Sequence, residues 1–129
     1  YTPFMKIENL KSKFKINNIN IETFKHNHGK IDCQTFRIGN FAYSTDLKKF
    51  YGNDIDKLKN LDLWVVGLLR KDSHPSHGGF EEIMELINYI KPKKTIFTHM
   101  TALIDELEIN KMTPANVIAG YDGMEMSIL

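Results

Sequence analysis

The feature that most constrains the fold is a short apolar run in the middle of the chain, residues 63–69, within the nearly apolar stretch 61–69. The run is far too short to span a bilayer, and it is typical of a strand in a sheet that is covered on both faces. Apolar residues then recur at helical spacing over 80–90, and Pro92 lies just past the end of that stretch, which predicts an amphipathic helix. A second short buried strand is predicted over 93–98.

The remaining elements are predicted from apolar–polar alternation and from turn signals. We expect strands over 19–24 running into 25–29, over 35–38 and over 41–44, short helices over 53–60 and 102–108, and a hairpin of 117–121 with 124–129 around Asp122-Gly123. Residues 1–18 are polar and rich in lysine, and we interpret them as a solvated edge. Strands first, followed by alternating strand and helix, predict a layered α/β or α+β fold.

Composition narrows the classes of function. The 129 residues carry 17 Lys and Arg against 16 Asp and Glu, a net charge of +1, which makes a nucleic-acid partner an unfavoured interpretation. The single cysteine, Cys33, excludes an internal disulfide and fits a reducing compartment such as the cytoplasm. The chain begins at Tyr1 and no signal segment follows, so we expect a processed product or a piece of a longer protein.

Three polar side chains, His28, Asp46 and His99, each stand where a predicted strand gives way to a loop. Loops at the ends of strands converge on one crevice and there collect ligands. Two imidazoles and one carboxylate form a ligand set that Zn, Mn and Fe favour. The alternative is that three solvated polar residues share this placement by chance.

The other histidines and the cysteine allow simpler interpretations. His77 precedes the predicted helix in a loop with His74, and its imidazole could act as a general acid. The alternative for both is a solvated loop histidine, which we favour for His74. We interpret His26 as a surface residue on the same strand as His28, and Cys33 as a structural residue without an activating partner.

An ordered set of short motifs resembles a known family. The motifs are His28-Gly29, Phe36-Arg37-Ile38-Gly39, Phe41-Ala42-Tyr43-Ser44-Thr45-Asp46, His74-Pro75-Ser76-His77, Thr98-His99-Met100 and Tyr121-Asp122-Gly123-Met124-Glu125. Over residues 19–128 they resemble the second half of the metallo-β-lactamase fold, within the branch of the cyclic phosphodiesterase of the carbon–phosphorus lyase pathway and ribonuclease Z. The resemblance implies an αββα sandwich of which residues 1–129 are one partial domain, the C-terminal half.

The same resemblance implies a role for each candidate site residue. His28 would be the third imidazole on one of two divalent metals, Asp46 the carboxylate that bridges both, and His99 the ligand that completes the second. His77 would be the catalytic residue near the leaving group. The implied metals are Zn or Mn, and the implied reaction is hydrolysis of a small phosphodiester such as a cyclic phosphate or a nucleotide-type substrate.

The sequence also departs from the family pattern. The signature loop of two histidines, an aspartate and a further histidine does not occur in this sequence, so we expect it in an absent upstream half. The chain would then carry about three of seven ligands. Gly67 stands where an acidic residue is often found, and Thr101-Ala102 where Ser-His is common. The alternative function is a non-catalytic remnant that acts, if at all, through association with a partner or with itself.

These interpretations carry structural expectations. His28, Asp46 and His99 should converge at one edge of the sheet. His77 should lie across the pocket, within reach of substrate but not of the metals. Half of a sandwich should leave one apolar sheet face uncovered, which favours self-association or pairing with the missing N-terminal half. Alone, the chain should bind metal weakly and show essentially no turnover.

Overall fold

A mixed eight-stranded sheet and two α-helices make up the fold. The computed structural model describes residues 8–128. The strands are β1 (Lys13–Ile16), β2 (Ile19–His28), β3 (Ile31–Ile38), β4 (Phe41–Ser44), β5 (Lys49–Phe50), β6 (Leu63–Gly67), β7 (Lys94–Thr98) and β8 (Val117–Ala119); the helices are α1 (Phe80–Ile90) and α2 (Glu106–Met112), with a 3₁₀ helix at Asp54–Leu58. The strand order is β1-β2-β3-β4-β6-β7-β8, and β5 pairs with β2 outside this path.

The sheet changes from antiparallel to parallel at β4. Strands β1 to β4 are joined in sequence as antiparallel neighbours. The turn between β2 and β3 places Gly29 at a φ of 72°, and the turn between β3 and β4 places Gly39 at 55°, a conformation that glycine adopts at little cost. Strands β4, β6, β7 and β8 then run parallel. Their carboxyl ends therefore meet at one edge.

Helix α1 makes the crossover between β6 and β7 and forms the core on one face of the sheet. Its buried residues include Ile83 and Ile87, which belong to one apolar cluster with Trp64, Val66 and Phe97 of the parallel strands. The predicted helix over 80–90 is confirmed at both ends. A crossover of this kind returns the chain to the same sheet edge, and so the loops before α1 and after β7 are neighbours.

The opposite face of the parallel strands carries apolar side chains too. It is defined here as the open face and consists of Phe41, Tyr43, Leu63, Val65 and Ile96, which alternate with the core residues. A cavity of about 460 Å³ lies between this face and the C-terminal segment 120–128. Within residues 8–128, no helix lies on the open face in the way that α1 lies on the core.

Three predicted elements differ from the structure. Helix α2 begins at Glu106 instead of 102, because the Asp105 side chain accepts from the amides of Leu107 and Glu108 and so caps the helix there. The predicted C-terminal hairpin is wrong: β8 pairs in parallel with β7, and 124–128 contains no strand.

The lysine-rich start is also more structured than expected, because 13–16 form the edge strand β1; residues 1–7 and 129 lie outside the described part. Within the described part, no helix has the length and apolarity needed to cross a bilayer.

Candidate metal centre

Asp46 lies just past the carboxyl end of β4, in a backbone conformation that aspartate rarely adopts. Its φ is 54°, in the left-handed region. The residues that follow are fixed by backbone hydrogen bonds: Gly78 N donates to Leu47 O and Lys48 N donates to Asn27 O, both at 2.8 Å. The loop before α1 and the end of β2 therefore hold the turn that presents the carboxylate.

His99 occupies the corresponding position after β7. Its φ is 59°, and its Nε2 lies 3.2 Å from Asp46 Oδ1. Gly67, at the end of the intervening strand β6, separates the two turns. A Cβ at Gly67 would lie 3.4 Å from Asp46 N and 3.8 Å from His99 Cβ, which is ordinary van der Waals contact, and so the space between the two turns admits a Cβ at this position.

His28 ends β2 and is joined to the loop before α1. Its Nδ1 donates to the Ser76 carbonyl at 2.9 Å, because a carbonyl oxygen can only accept. Gly29 allows this approach, since a Cβ there would lie 3.0 Å from Ser76 Cβ. With Nδ1 protonated, the neutral ring carries its lone pair on Nε2, which is the usual state of a metal-bound imidazole held by a backbone carbonyl.

His77 lies inside this group and not across a pocket from it. Its Nε2 is 3.1 Å from Asp46 Oδ1, and its ring centroid is 4.7 Å from that of His28 and 5.7 Å from that of His99. The expectation that His77 is out of reach of a metal held by Asp46 is therefore wrong. Ser76 Oγ lies 2.9 Å from the other ring nitrogen, Nδ1, which orients the imidazole.

The donor set fits a divalent transition metal. One ligand atom from each of His28, Asp46 and His77 lies within 4.8 Å of the others, so small side-chain movements would bring them to the separation of about 3.3 Å that tetrahedral Zn requires. His99 adds a further imidazole on the same Asp46 oxygen. Nitrogen and carboxylate donors of this kind suit Zn, Mn and Fe.

The charges of the group favour an ionised carboxylate. Burial raises the pKa of Asp46, but the hydrogen bond from His77 and the charges of His99 and His28 outweigh it, so the net pKa is below its ordinary value. Burial lowers the pKa of His77 more than the Asp46 hydrogen bond raises it. An ionised carboxylate beside several imidazoles supplies the negative charge and the nitrogen donors that a divalent cation needs.

The position of His26 also differs from the one that the sequence predicts. It is fully buried, not on the surface, and both of its ring nitrogens have partners: Nε2 lies 2.9 Å from Thr45 O and Nδ1 lies 2.9 Å from Thr35 Oγ1. Thr35 and Ser44 hydroxyls are 3.0 Å apart, and Trp64 Nε1 donates to Ser44 Oγ at 3.0 Å. Burial lowers the pKa of His26, which is consistent with a neutral ring in a polar network under the core.

The two remaining candidates have peripheral positions. His74 Nδ1 lies 2.9 Å from Ser76 Oγ, so it contacts the loop of His77 without contacting Asp46. Cys33 is half-buried opposite His26 on β3, and burial raises the pKa of its thiol. No described side chain activates it as a nucleophile.

Comparison with known proteins identifies the family. A model of the β-lactamase superfamily domain matches residues 4–100. The chain belongs to the β-lactamase superfamily. The resemblance that the motifs suggested, and the fold class with it, are thereby confirmed.

Solved structures of the metallo-β-lactamase fold superimpose on most of the chain. A diphosphatase of the PhnP family shares 22% identity with a TM-score of 0.91, over 96% of this chain and 49% of that protein. The short form of human tRNase Z shares 16% with a TM-score of 0.70, over 92% of this chain and 46% of that protein. These likenesses establish the fold.

One curated protein is also similar. It is an octanoyltransferase of Porphyromonas gingivalis (strain ATCC BAA-308 / W83), 28% identical over 134 residues, which are 98% of this chain and 27% of that protein. The chain thus spans about half the length of these two solved structures and about a quarter of the length of the curated relative.

Proposed function

We propose that this chain is the C-terminal half of a metal-dependent hydrolase that cleaves phosphodiesters with two divalent metals. The observation that carries the proposal is the convergence of three imidazoles on one carboxylate, with His77 and His99 at 3.1 and 3.2 Å from the same Asp46 oxygen and His28 beside them. In the proposal His28, Asp46 and His99 would hold the metals, Zn or Mn, and Asp46 would be the carboxylate shared between them.

The chemistry that divalent metals supply in such a site is a water of lowered pKa and positive charge facing the phosphate. The protein's part is orientation. Ser76 O fixes His28 with Nε2 free, and the left-handed turns at Asp46 and His99 aim both side chains at one point.

His77 is proposed as the general acid. Its Nε2 faces Asp46, its Nδ1 is held by Ser76 Oγ, and burial makes its proton easier to release. When a leaving oxygen replaces Asp46 as the partner of Nε2, the ring can donate its proton to it. A second candidate role is favoured by the same short distances, namely that His77 is itself a metal ligand.

The parent protein is proposed to include a preceding segment that completes the sandwich. That segment would cover the open face, supply the remaining metal ligands and contribute to binding a small phosphodiester. Support comes from the apolar open face and from the chain's matching about half of the superimposed structures. The single cysteine supports a cytoplasmic location for the parent.

Metal binding tests the ligand assignment. The chain is titrated with ZnCl₂ and with MnCl₂ by isothermal titration calorimetry, alone and as Asp46→Asn and Asp62→Asn. Asp62 is a matched control, since it is a carboxylate at the far end of β6, paired with exposed Lys93. We expect Asp46→Asn to lose binding and Asp62→Asn to retain it. Equal binding by all three proteins would refute the metal site.

Activity tests the role of His77. The chain is assayed alone and together with the segment encoded upstream, on bis(4-nitrophenyl) phosphate and on a 2′,3′-cyclic nucleotide, with His74→Ala as the loop control. We expect His77→Ala to lower kcat by about 10²–10⁴-fold on the cyclic nucleotide, whose leaving group needs a proton, and much less on the nitrophenyl ester. If His77→Ala reduces metal content, His77 is a ligand. If the assembled protein hydrolyses neither ester, the phosphodiester proposal is wrong.

A further inference from the structure

The peptide that precedes Asp46 is held by a buried side chain. His26 Nε2 lies 2.9 Å from Thr45 O, and His26 has no exposed surface. A carbonyl oxygen only accepts, so Nε2 carries the proton and donates it. In the neutral ring Nδ1 then accepts, and the Thr35 hydroxyl 2.9 Å away donates to it, with the Ser44 hydroxyl turned to donate across its 3.0 Å contact with Thr35 Oγ1. Both ring nitrogens therefore have hydrogen-bond partners, Thr35 on β3 and Thr45 directly after β4.

The hydrogen bond from His26 to the Thr45 carbonyl lies directly before Asp46 in the chain. Asp46 adopts a φ of 54°, a conformation that costs a non-glycine residue on the order of 1 kcal/mol and persists only where neighbouring contacts impose it. On its C-terminal side those contacts are the hydrogen bonds that the Leu47 carbonyl accepts from Gly78 N and that the Lys48 amide donates to Asn27 O. On its N-terminal side the bond from His26 fixes the carbonyl of the residue immediately before it.

We propose that His26 is a positioning residue for the metal centre, which holds the Thr45 peptide so that Asp46 keeps its left-handed turn and its carboxylate meets His77 and His99. His26 acts through the Thr45 carbonyl, and its ring also interacts with the Asp46 backbone. The proposal deepens the proposed function, because it names what sets the orientation of the Asp46 carboxylate.

The first test needs no variant. Long-range ¹H–¹⁵N correlation spectra of the chain give the tautomer of His26, and we expect the Nε2–H form with a slowly exchanging ring proton. A proton on Nδ1 alone would overturn the proposal, since Nε2 could not then donate to Thr45.

The second test separates positioning from stability. His26→Gln places an amide nitrogen near the position of Nε2, whereas the shorter His26→Asn places one near Nδ1; Thr35→Val removes the partner of Nδ1 and leaves the Thr45 bond intact. The Asp46 three-bond HN–Hα coupling and its Cα and Cβ shifts report its turn without any metal. We expect His26→Gln and Thr35→Val to keep the wild-type Asp46 values, and His26→Asn to lose them.

Metal affinity supplies the third readout. We expect Zn²⁺ affinities within about 3-fold of each other for the wild-type chain, His26→Gln and Thr35→Val. We expect His26→Asn to lose about 10–100-fold in Zn²⁺ affinity, the range found when a residue that orients a metal ligand is removed. Unchanged Asp46 shifts in a folded His26→Asn chain would overturn the proposal. If the wild-type chain binds no Zn²⁺ either alone or with the upstream segment, the proposed function fails, and the tautomer and the Asp46 turn still decide the role of His26. If His26→Asn does not fold, the tautomer in the wild-type chain is decisive.

Discussion

The ion pair between Lys48 and Glu82 joins the Asp46 turn to helix α1. Removing the negative charge of Glu82 tests how much this ion pair contributes to stability. Lys48 Nζ donates to both Glu82 carboxylate oxygens, at 2.8 and 3.1 Å, and to Ser73 Oγ at 2.7 Å. Glu82 also accepts from Gly79 N at 2.8 Å and so caps α1. One carboxylate therefore fixes the helix start, the loop of His77 and the segment after Asp46.

The pKa of Glu82 gives the magnitude. Burial alone would raise this pKa, but Lys48, the Gly79 amide and Ser73 lower it from 4.5 to about 2. A shift of that size corresponds to about 3 kcal/mol, and because 42% of the Glu82 side chain is exposed, solvent screening reduces the contribution to about 1–2 kcal/mol. Since the folded pKa is the lower one, this stability is present above pH 4.5 and is lost as the pH falls toward 2.

The variant is Glu82→Gln, with Glu81→Gln as the matched control in the same helical turn. Both remove one negative charge from the start of α1, but only Glu82 has Lys48 as its partner. Urea unfolding at pH 7 should show a loss of about 1–2 kcal/mol for Glu82→Gln and under about 0.5 kcal/mol for Glu81→Gln. The gap between wild type and Glu82→Gln should narrow from pH 4.5 to pH 3. Equal losses in the two variants, or a gap that is independent of pH, would refute the reasoning.

Three further predictions concern the loop before α1, the buried network and the open face. Gly79→Ala should destabilise the chain by about 2 kcal/mol or more in urea, because a Cβ would lie 2.6 Å from Lys71 O and Ser73 N, both backbone atoms; a loss near zero would show that this loop moves freely. Ser44→Ala should lose about 1–3 kcal/mol, because the buried Trp64 indole then has no acceptor, and an unchanged urea midpoint would contradict that. Light scattering at micromolar concentration should show that the chain self-associates through the open face. Tyr43→Lys should shift the chain toward monomer, whereas Tyr89→Lys, on the outer surface of α1, should not. A monomeric wild-type chain would show that the open face is not an interface between copies.

The sequence predicts the parallel half of the fold well, because each of its elements has a strong local signal. Residues 63–67 and 94–98 are the strands β6 and β7, most of whose side chains are buried, and the apolar spacing over 80–90 leaves one helical register. The C-terminal errors have a local cause. Asp122-Gly123 is a genuine turn signal, but β8 finds its partner in β7, far back along the chain, and no short-range pattern reports that pairing.

The site could be predicted as a set of residues but not as a geometry. Strand ends indicate His28, Asp46 and His99, yet nothing in a strand pattern indicates that Asp46 and His99 adopt left-handed turns. His26 lies two residues before His28 on β2 and so on the same face of the strand, but farther from the strand end, where a buried polar network satisfies both of its ring nitrogens. That network exists only because Thr35, Ser44 and Trp64 come together from three other strands, which is information that no single segment carries.

The candidate metal centre and the open face meet in one place, and this links the two proposals. His99, which contacts Asp46, also lines the cavity on the open face, beside Thr98 and Met100. A segment that packs on the open face would therefore lie next to the proposed metal ligand His99. Metal and covering segment should then bind cooperatively, because each restricts the same His99 turn. Zn²⁺ should therefore increase the affinity of the chain for the upstream half by the same factor by which that half increases the affinity for Zn²⁺. Both affinities can be measured by calorimetry, with Zn²⁺ added before or after the upstream half. If neither affinity depends on the other partner, the two sites are independent.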